Sequence, residues 1–228
     1  MYFLHYGTFG IAIISFLISL AVQINMNSTF SKYSKINNRR YMTGAEAAQR
    51  ILRSHGLYDV RVERVNGKLT DHYDPRENIV RLSDSTYNST SIAAIGVASH
   101  ECGHAIQYAE NYFPVKLRSG IASFTQASSM ISYVLILIGL MADSFNIITI
   151  GIAFFAVVAF FQLVTLPVEF NASKRALAVL SNGGIIERSE EGAVKKVLGA
   201  AALTYVAALV TSILYIIRLL ALRNGSRD

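Results

Sequence analysis

Residues 100–104 read His-Glu-Cys-Gly-His, two imidazoles four positions apart with a carboxylate beside the first. Four residues of helix advance about 400°, so both rings leave one face and can close on a single zinc ion. Glu101 stands on the shoulder of that face. From there it can take a proton from a zinc-held water without itself binding the metal, so the expected chemistry is hydrolysis, with His100 and His104 as metal ligands and Glu101 as general base. A shuffled chain of this composition contains the pattern on the order of 0.004 times, which sets chance aside. Two merely structural histidines beside a buried Glu would strand a carboxylate in apolar surroundings, which is costly. Cys102 lies about 200° round the helix from His100 and is expected in the core. Gly103 either lets a second backbone approach the helix beside the metal or is a tolerated small residue.

A catalytic zinc takes three protein ligands and keeps one position open. Glu169 is the best third ligand: it follows the third apolar run, in Pro167-Val168-Glu169-Phe170-Asn171-Ala172-Ser173, on the side expected for the His100 helix. Its competing reading is a first-turn carboxylate that merely favours a helix dipole after Pro167. Asp143 is expected on the opposite side, and Glu110, Glu187, Glu190 and Glu191 read as solvated charges. His72 and Asp74 fall in Asp71-His72-Tyr73-Asp74-Pro75, which turn chemistry explains adequately. Arg175, Tyr112 and Tyr205 are available to stabilise a developing oxyanion, and nothing in the sequence selects among them.

The elements that must position these groups are legible around them. Ser89 to Ala109 reads as a helix that Ser91 can cap. Thr43 to His55 reads as an amphipathic helix, with Thr43 as N-cap, Glu46 three residues on, an apolar stripe of Ala47, Ala48, Ile51 and Leu52, and Gly56 to end it. Asp59 to Val65 alternates apolar and charged residues, and Asn66-Gly67 signals a hairpin leading towards a second strand at Asn78 to Leu82. That second strand (Asn78, Ile79, Val80, Arg81, Leu82) could offer an edge to which a substrate peptide adds, or be an ordinary paired strand.

Of the 228 residues, 52% are hydrophobic and only 16% charged, and mean hydropathy is +0.37. This is too apolar for an ordinary soluble domain. Four runs free of Asp, Glu, Lys and Arg approach or exceed the roughly 20 residues a bilayer needs: Gly7 to Ile24, Ser119 to Ala142, Ser144 to Val168 and Val197 to Ile217. The second is polar in its first half. Ser19-Leu20-Ala21 resembles a signal-peptide cleavage site, but no Lys or Arg precedes the first run while Lys32, Lys35, Arg39 and Arg40 follow it, so an uncleaved anchor is expected. This orients the N-terminus outward and places residues 25–118 and 169–196 on the cytoplasmic face; the tail with Arg223 and Arg227 runs against the rule. The net charge of +6 then reflects topology and contact with anionic membrane lipid. No basic patch interleaved with aromatics points to nucleic acid. The single cysteine excludes an internal disulfide.

The chain resembles the YugP-type neutral zinc metallopeptidases, small bacterial membrane proteins. The resemblance runs over nearly the whole length and is strongest at Leu69-Thr70-Asp71-His72-Tyr73-Asp74-Pro75-Arg76, from Ser91 through His100-Glu101-Cys102-Gly103-His104 to Gln107, and at Leu166-Pro167-Val168-Glu169-Phe170. It leaves a substrate-facing role open for Tyr73 and Arg76. A more distant similarity is to HtpX-like membrane proteases, which pair the two-histidine motif with a later E-x-x-A-D whose Glu is the third zinc ligand. Glu169 carries that role over. The final Asp does not, and Ser173, one turn beyond Glu169, is left as the residue that could support a ligand by hydrogen bonding.

The expected architecture is mainly α: about four transmembrane helices plus a small α+β zincin-like catalytic domain with a short β-hairpin or sheet. The chain divides into an anchor (1–24), an α+β segment (25–118), two membrane helices (119–168), a helix with the third ligand (169–196), and a last membrane helix with a basic tail (197–228). The function implied is a membrane-embedded zinc metalloendopeptidase acting on peptides or membrane-protein substrates. A zinc-binding scaffold is the alternative. A transporter is weaker, because the uncharged runs hold almost no ionisable groups.

Overall fold

The structure, a computed structural model, describes residues 2–225, with side chains described from 8 to 222. The order of elements is α1 (Tyr2–Tyr33), α2 (Gly44–Ser54), β1 (Arg61–Val65), β2 (His72–Asp74), β3 (Ile79–Ser83), α3 (Ile92–Ala109), α4 (Phe113–Met141), α5 (Phe145–Asn182) and α6 (Arg188–Gly225). The chain is mostly helical, with a small three-stranded sheet. Arg227 lies outside the described residues.

Two compact units emerge, the first comprising residues 1–23, 117–166 and 204–228, the second residues 24–116 and 167–203. In the first, α4 and α5 form a hairpin through the turn at Asp143, which takes a positive φ of 48°. The hairpin packs closely because Gly139 and Gly151 have no side chain: a Cβ on Gly139 would lie 2.8 Å from the Ile148 nitrogen. Ser132 Oγ donates to the Gly151 carbonyl at 2.8 Å, satisfying a hydroxyl that hydrocarbon could not. Phe16, Leu17, Leu137 and Ile213 remain exposed. Apolar exposure of this kind suits lipid. Among the described residues, four helices are long and apolar enough to cross a membrane, over Thr8–Tyr33, Phe113–Met141, Phe145–Asn182 and Arg188–Leu222.

The second unit holds the main core, in which Ile51 and Leu52 of α2, Val80 and Leu82 of β3, Ile95 and Cys102 of α3, and Leu180 of α5 are buried together. Thr43 and Glu46 make the expected capping box at α2, and Gly56 follows its end with φ 71°. Phe30 and Tyr33 are anchored in the same core, and α1 continues through Asn25 to Tyr33, past the end expected for the anchor at residue 24. Likewise α5 runs unbroken through Pro167, so no helix end separates Val168 from Glu169. Proline costs the helix one N–H donor, and a helix embedded in protein or lipid can absorb that.

The sheet departs from the expected hairpin. Its order is β1-β3-β2, with β1 parallel to β3 and β2 antiparallel to it. Asn66-Gly67 does not fold β1 back on the next strand, because Gly67 is tied to the far end of β3: its N–H donates to Asp84 Oδ2 and its carbonyl accepts from the Asp84 N–H. The hairpin joins β2 to β3 instead. Asp74 Oδ1 accepts from the Arg76 N–H at 2.8 Å, and Asn78 adopts φ 56° to close the turn. Residues 72–74, expected as turn, are therefore strand. β3 is central and paired on both sides, so Asn78, Ile79, Val80, Arg81 and Leu82 have no free edge for a substrate peptide; the expected role as an open strand is corrected.

Candidate metal centre

α3 begins where Ser91 caps it, its side chain accepting from the Ala94 N–H, and it brings His100 and His104 out on one face. α5 crosses beside them. Gly103 permits this approach: a Cβ there would stand 2.6 Å from the Ala172 carbonyl oxygen, well inside any tolerable contact. Of the two readings of Gly103, close backbone approach is the one observed.

The crossing delivers Glu169 to the histidines. Its Oε2 lies 3.2 Å from His100 Nε2 and 3.6 Å from His104 Nε2, and the rings stand nearly perpendicular, at 83°. One ligand atom from each of the three residues falls within 4.8 Å of the others. Glu169 is only 1% exposed. A buried carboxylate facing two imidazole nitrogens gathers three lone-pair donors at one point, an arrangement that a divalent cation satisfies and that matches a two-histidine, one-glutamate zinc site. The donor set therefore fits zinc.

The ring nitrogens turned away from this point are also held. His104 Nδ1 lies 3.1 Å from Gln107 Oε1, which can only accept, so the proton sits on Nδ1 and leaves the Nε2 lone pair free. Ser173 Oγ lies 3.2 Å from His100 Nδ1, where the sequence expected a supporting contact. Gln107 was not anticipated. It is fully buried, and its Nε2 donates to the Val168 carbonyl and to Asn171 Oδ1, lashing α3 to the turn of α5 that carries Glu169. A signal for it existed: an amide three residues after His104, on a helix otherwise buried through apolar side chains.

Glu101 is offset from the three-residue cluster. Its Oε2 accepts from the Tyr73 N–H of β2 at 3.0 Å. Burial pushes its pKa up to about 7; Asp71 and Glu169 add to the rise, while His100 and the Tyr73 N–H oppose it. Burial likewise raises the Cys102 thiol. That side chain points into the core towards the Ala48 carbonyl, as its angular position implied.

The remaining candidates fall elsewhere. His72 is exposed, with Nδ1 against the Thr70 carbonyl, and is not in the cluster. Asp74 serves its turn and pairs with Arg81. Arg175 is engaged by Glu110 at 2.6 Å and by Asn171, and lies over the Tyr112 ring. Tyr205 belongs to α6 in the first unit. Glu190 corrects its expectation as a solvated charge: it is buried and accepts from the N–H groups of Arg39 and Glu187.

Known proteins resemble the chain over nearly its whole length. A family profile described as "Putative neutral zinc metallopeptidase" matches residues 8–224. A relative named "Putative membrane protease YugP", from Bacillus subtilis (strain 168), is 48% identical over 211 residues, covering 92% of this chain and 94% of the relative. No solved structure matches. With nearly its whole length matched, and with four apolar helices among the described residues, the chain is a membrane protein that belongs to the family described as "Putative neutral zinc metallopeptidase".

Proposed function

We propose that the protein is a membrane-embedded zinc metalloendopeptidase in which His100, His104 and Glu169 hold the metal and Glu101 is the general base. The observation that carries this reading is the convergence of those three side chains with Glu101 left outside the donor set. When bound, zinc supplies a Lewis acid that polarises a scissile carbonyl and makes water acidic enough to be deprotonated near neutral pH. Gln107 and Ser173 orient the imidazoles. The Tyr73 N–H holds Glu101 Oε2, leaving Oε1 to receive a proton from the attacking water and return it to the leaving amine. β2 is the sheet edge beside Glu101, so a substrate backbone aligns with β2 in place of the paired β3. Peptides or membrane-protein segments are the substrates, and the site faces the cytoplasm.

The test uses purified protein in proteoliposomes with a quenched-fluorescent peptide library. Cleavage should vanish with a chelator and return with zinc, and His100→Ala, His104→Ala and Glu169→Ala should each lose metal. Zinc retained in all three variants refutes the ligand set, whereas tight zinc with no cleavage of any peptide or membrane-protein substrate favours the scaffold. For the side of the membrane, single cysteines introduced at Ser31 and Ser189 in a Cys102→Ala background should resist impermeant labelling from outside intact cells.

A further inference from the structure

Away from the metal centre, the second unit carries a groove of about 600 Å³ between the end of α1 and the start of α6, with Phe170 of α5 at its side. Its walls change character along their length. Lys32 lies in the last turn of α1 and Lys196 in the first half of α6, Ala200 and Leu203 follow one and two turns further along α6, and Asn25 and Thr29 of α1 add polar groups. Each lysine marks the limit of an uncharged run. Residues 1–31 contain no Asp, Glu, Lys or Arg, and none follows Lys196 until Arg218. The two ammonium groups therefore belong to a membrane–water boundary, and the groove leads from that boundary about 10 Å along each helix into apolar surroundings.

The occupant must match a cationic mouth and a greasy floor. Among the described residues no ion pair engages Lys32 or Lys196, and Lys32 instead lies 5.5 Å from the Tyr33 ring. Phe170 is 50% exposed and Leu203 47%. Gly199 opens the floor, since a Cβ there would meet nothing within 4 Å. We propose that this groove binds one anionic phospholipid, its phosphate between Lys32 and Lys196 and an acyl chain along Phe170, Ala200 and Leu203. Charge complementarity selects the headgroup, and the depth of the apolar wall selects a lipid over a soluble anion.

Native mass spectrometry of the purified full chain in detergent, titrated with phosphatidylglycerol or phosphatidylcholine, tests this. One phosphatidylglycerol should bind in preference to phosphatidylcholine. A basic residue near an anionic lipid contributes about five-fold in affinity, so Lys32→Gln with Lys196→Gln should weaken binding about 25-fold. Gly199→Leu fills the groove without altering charge and should weaken binding as well. Lys195→Gln, outside the groove, should not. Equal retention of the two lipids, or a loss in Lys195→Gln as large as in Lys196→Gln, would overturn the site, and so would displacement of the lipid by soluble glycerol phosphate at comparable concentration. Unchanged thermal midpoints identify variants that remain folded; if the double variant unfolds, Gly199→Leu still decides.

Discussion

Replacing Gly103 by Ala isolates the contact on which the metal centre depends. The new methyl carbon would sit 2.6 Å from the Ala172 carbonyl oxygen and 3.2 Å from its Cα. Both partners are backbone, so no side chain can swing aside. Relief to ordinary contact, which begins at 3.4 Å, requires α3 and α5 to separate locally by about 0.8 Å, and overpacking of this kind costs about 1–3 kcal/mol. Ala172 lies between Glu169 and Ser173, which contact His100, so the same displacement pulls a ligand and its support away together. Metal–ligand distances tolerate only about 0.2 Å. If about 1.4 kcal/mol or more of the strain is expressed in binding, zinc affinity falls at least about ten-fold. Competition with a calibrated chelator gives the affinity, and thermal denaturation of the metal-free protein gives the stability. Gly192→Ala, where a Cβ meets nothing within 4 Å, is the control. If Gly103→Ala matched the parent in both zinc affinity and midpoint, the crossing of α3 and α5 described above would be wrong.

Gln107→Leu should lower zinc affinity about 10- to 100-fold and cost about 1–3 kcal/mol, because it frees the His104 tautomer and strips donors from the Val168 carbonyl and Asn171; Gln107→Glu, which keeps an acceptor for Nδ1, should recover part of the affinity, and parent-like binding by the Leu variant would contradict the role. Glu101 binds its proton more tightly folded than unfolded, so its contribution to stability is complete below its ordinary pKa of 4.5 and is lost as pH rises through about 7. Metal-free protein should therefore lose about 3 kcal/mol over that window relative to metal-free Glu101→Gln, and parallel pH–stability curves for the two would refute this.

What could be read from the sequence was local in origin. His100, Glu101 and His104 are fixed by the pitch of one helix, the Thr43–Glu46 box by three residues of spacing, and Cys102 by its angle from the histidines. Glu169 was reachable because an acid beside the end of an uncharged run invites explanation. The features that escaped depend on bonds between distant segments. Nothing near Asn66-Gly67 reveals that Asp84 will claim the glycine, and that claim turns an expected hairpin into a parallel pair. Counting uncharged residues locates hydrocarbon, not helix ends, so α1 and α5 ran on past Ile24 and Val168 once Phe30, Tyr33 and Ala176 found core partners. Glu190 looked solvated because its partner, Arg39, is distant in sequence.

The central claim is that Glu101 moves the proton while three other residues hold the metal. The most direct measurement is the turnover of zinc-loaded Glu101→Gln against the parent on a peptide the parent cleaves, with metal content determined on the same samples. Equal zinc occupancy with a rate at least about 10²-fold lower is the expected result, since the amide keeps the shape but cannot accept a proton. Equal occupancy with rates within a few-fold of each other would contradict the account.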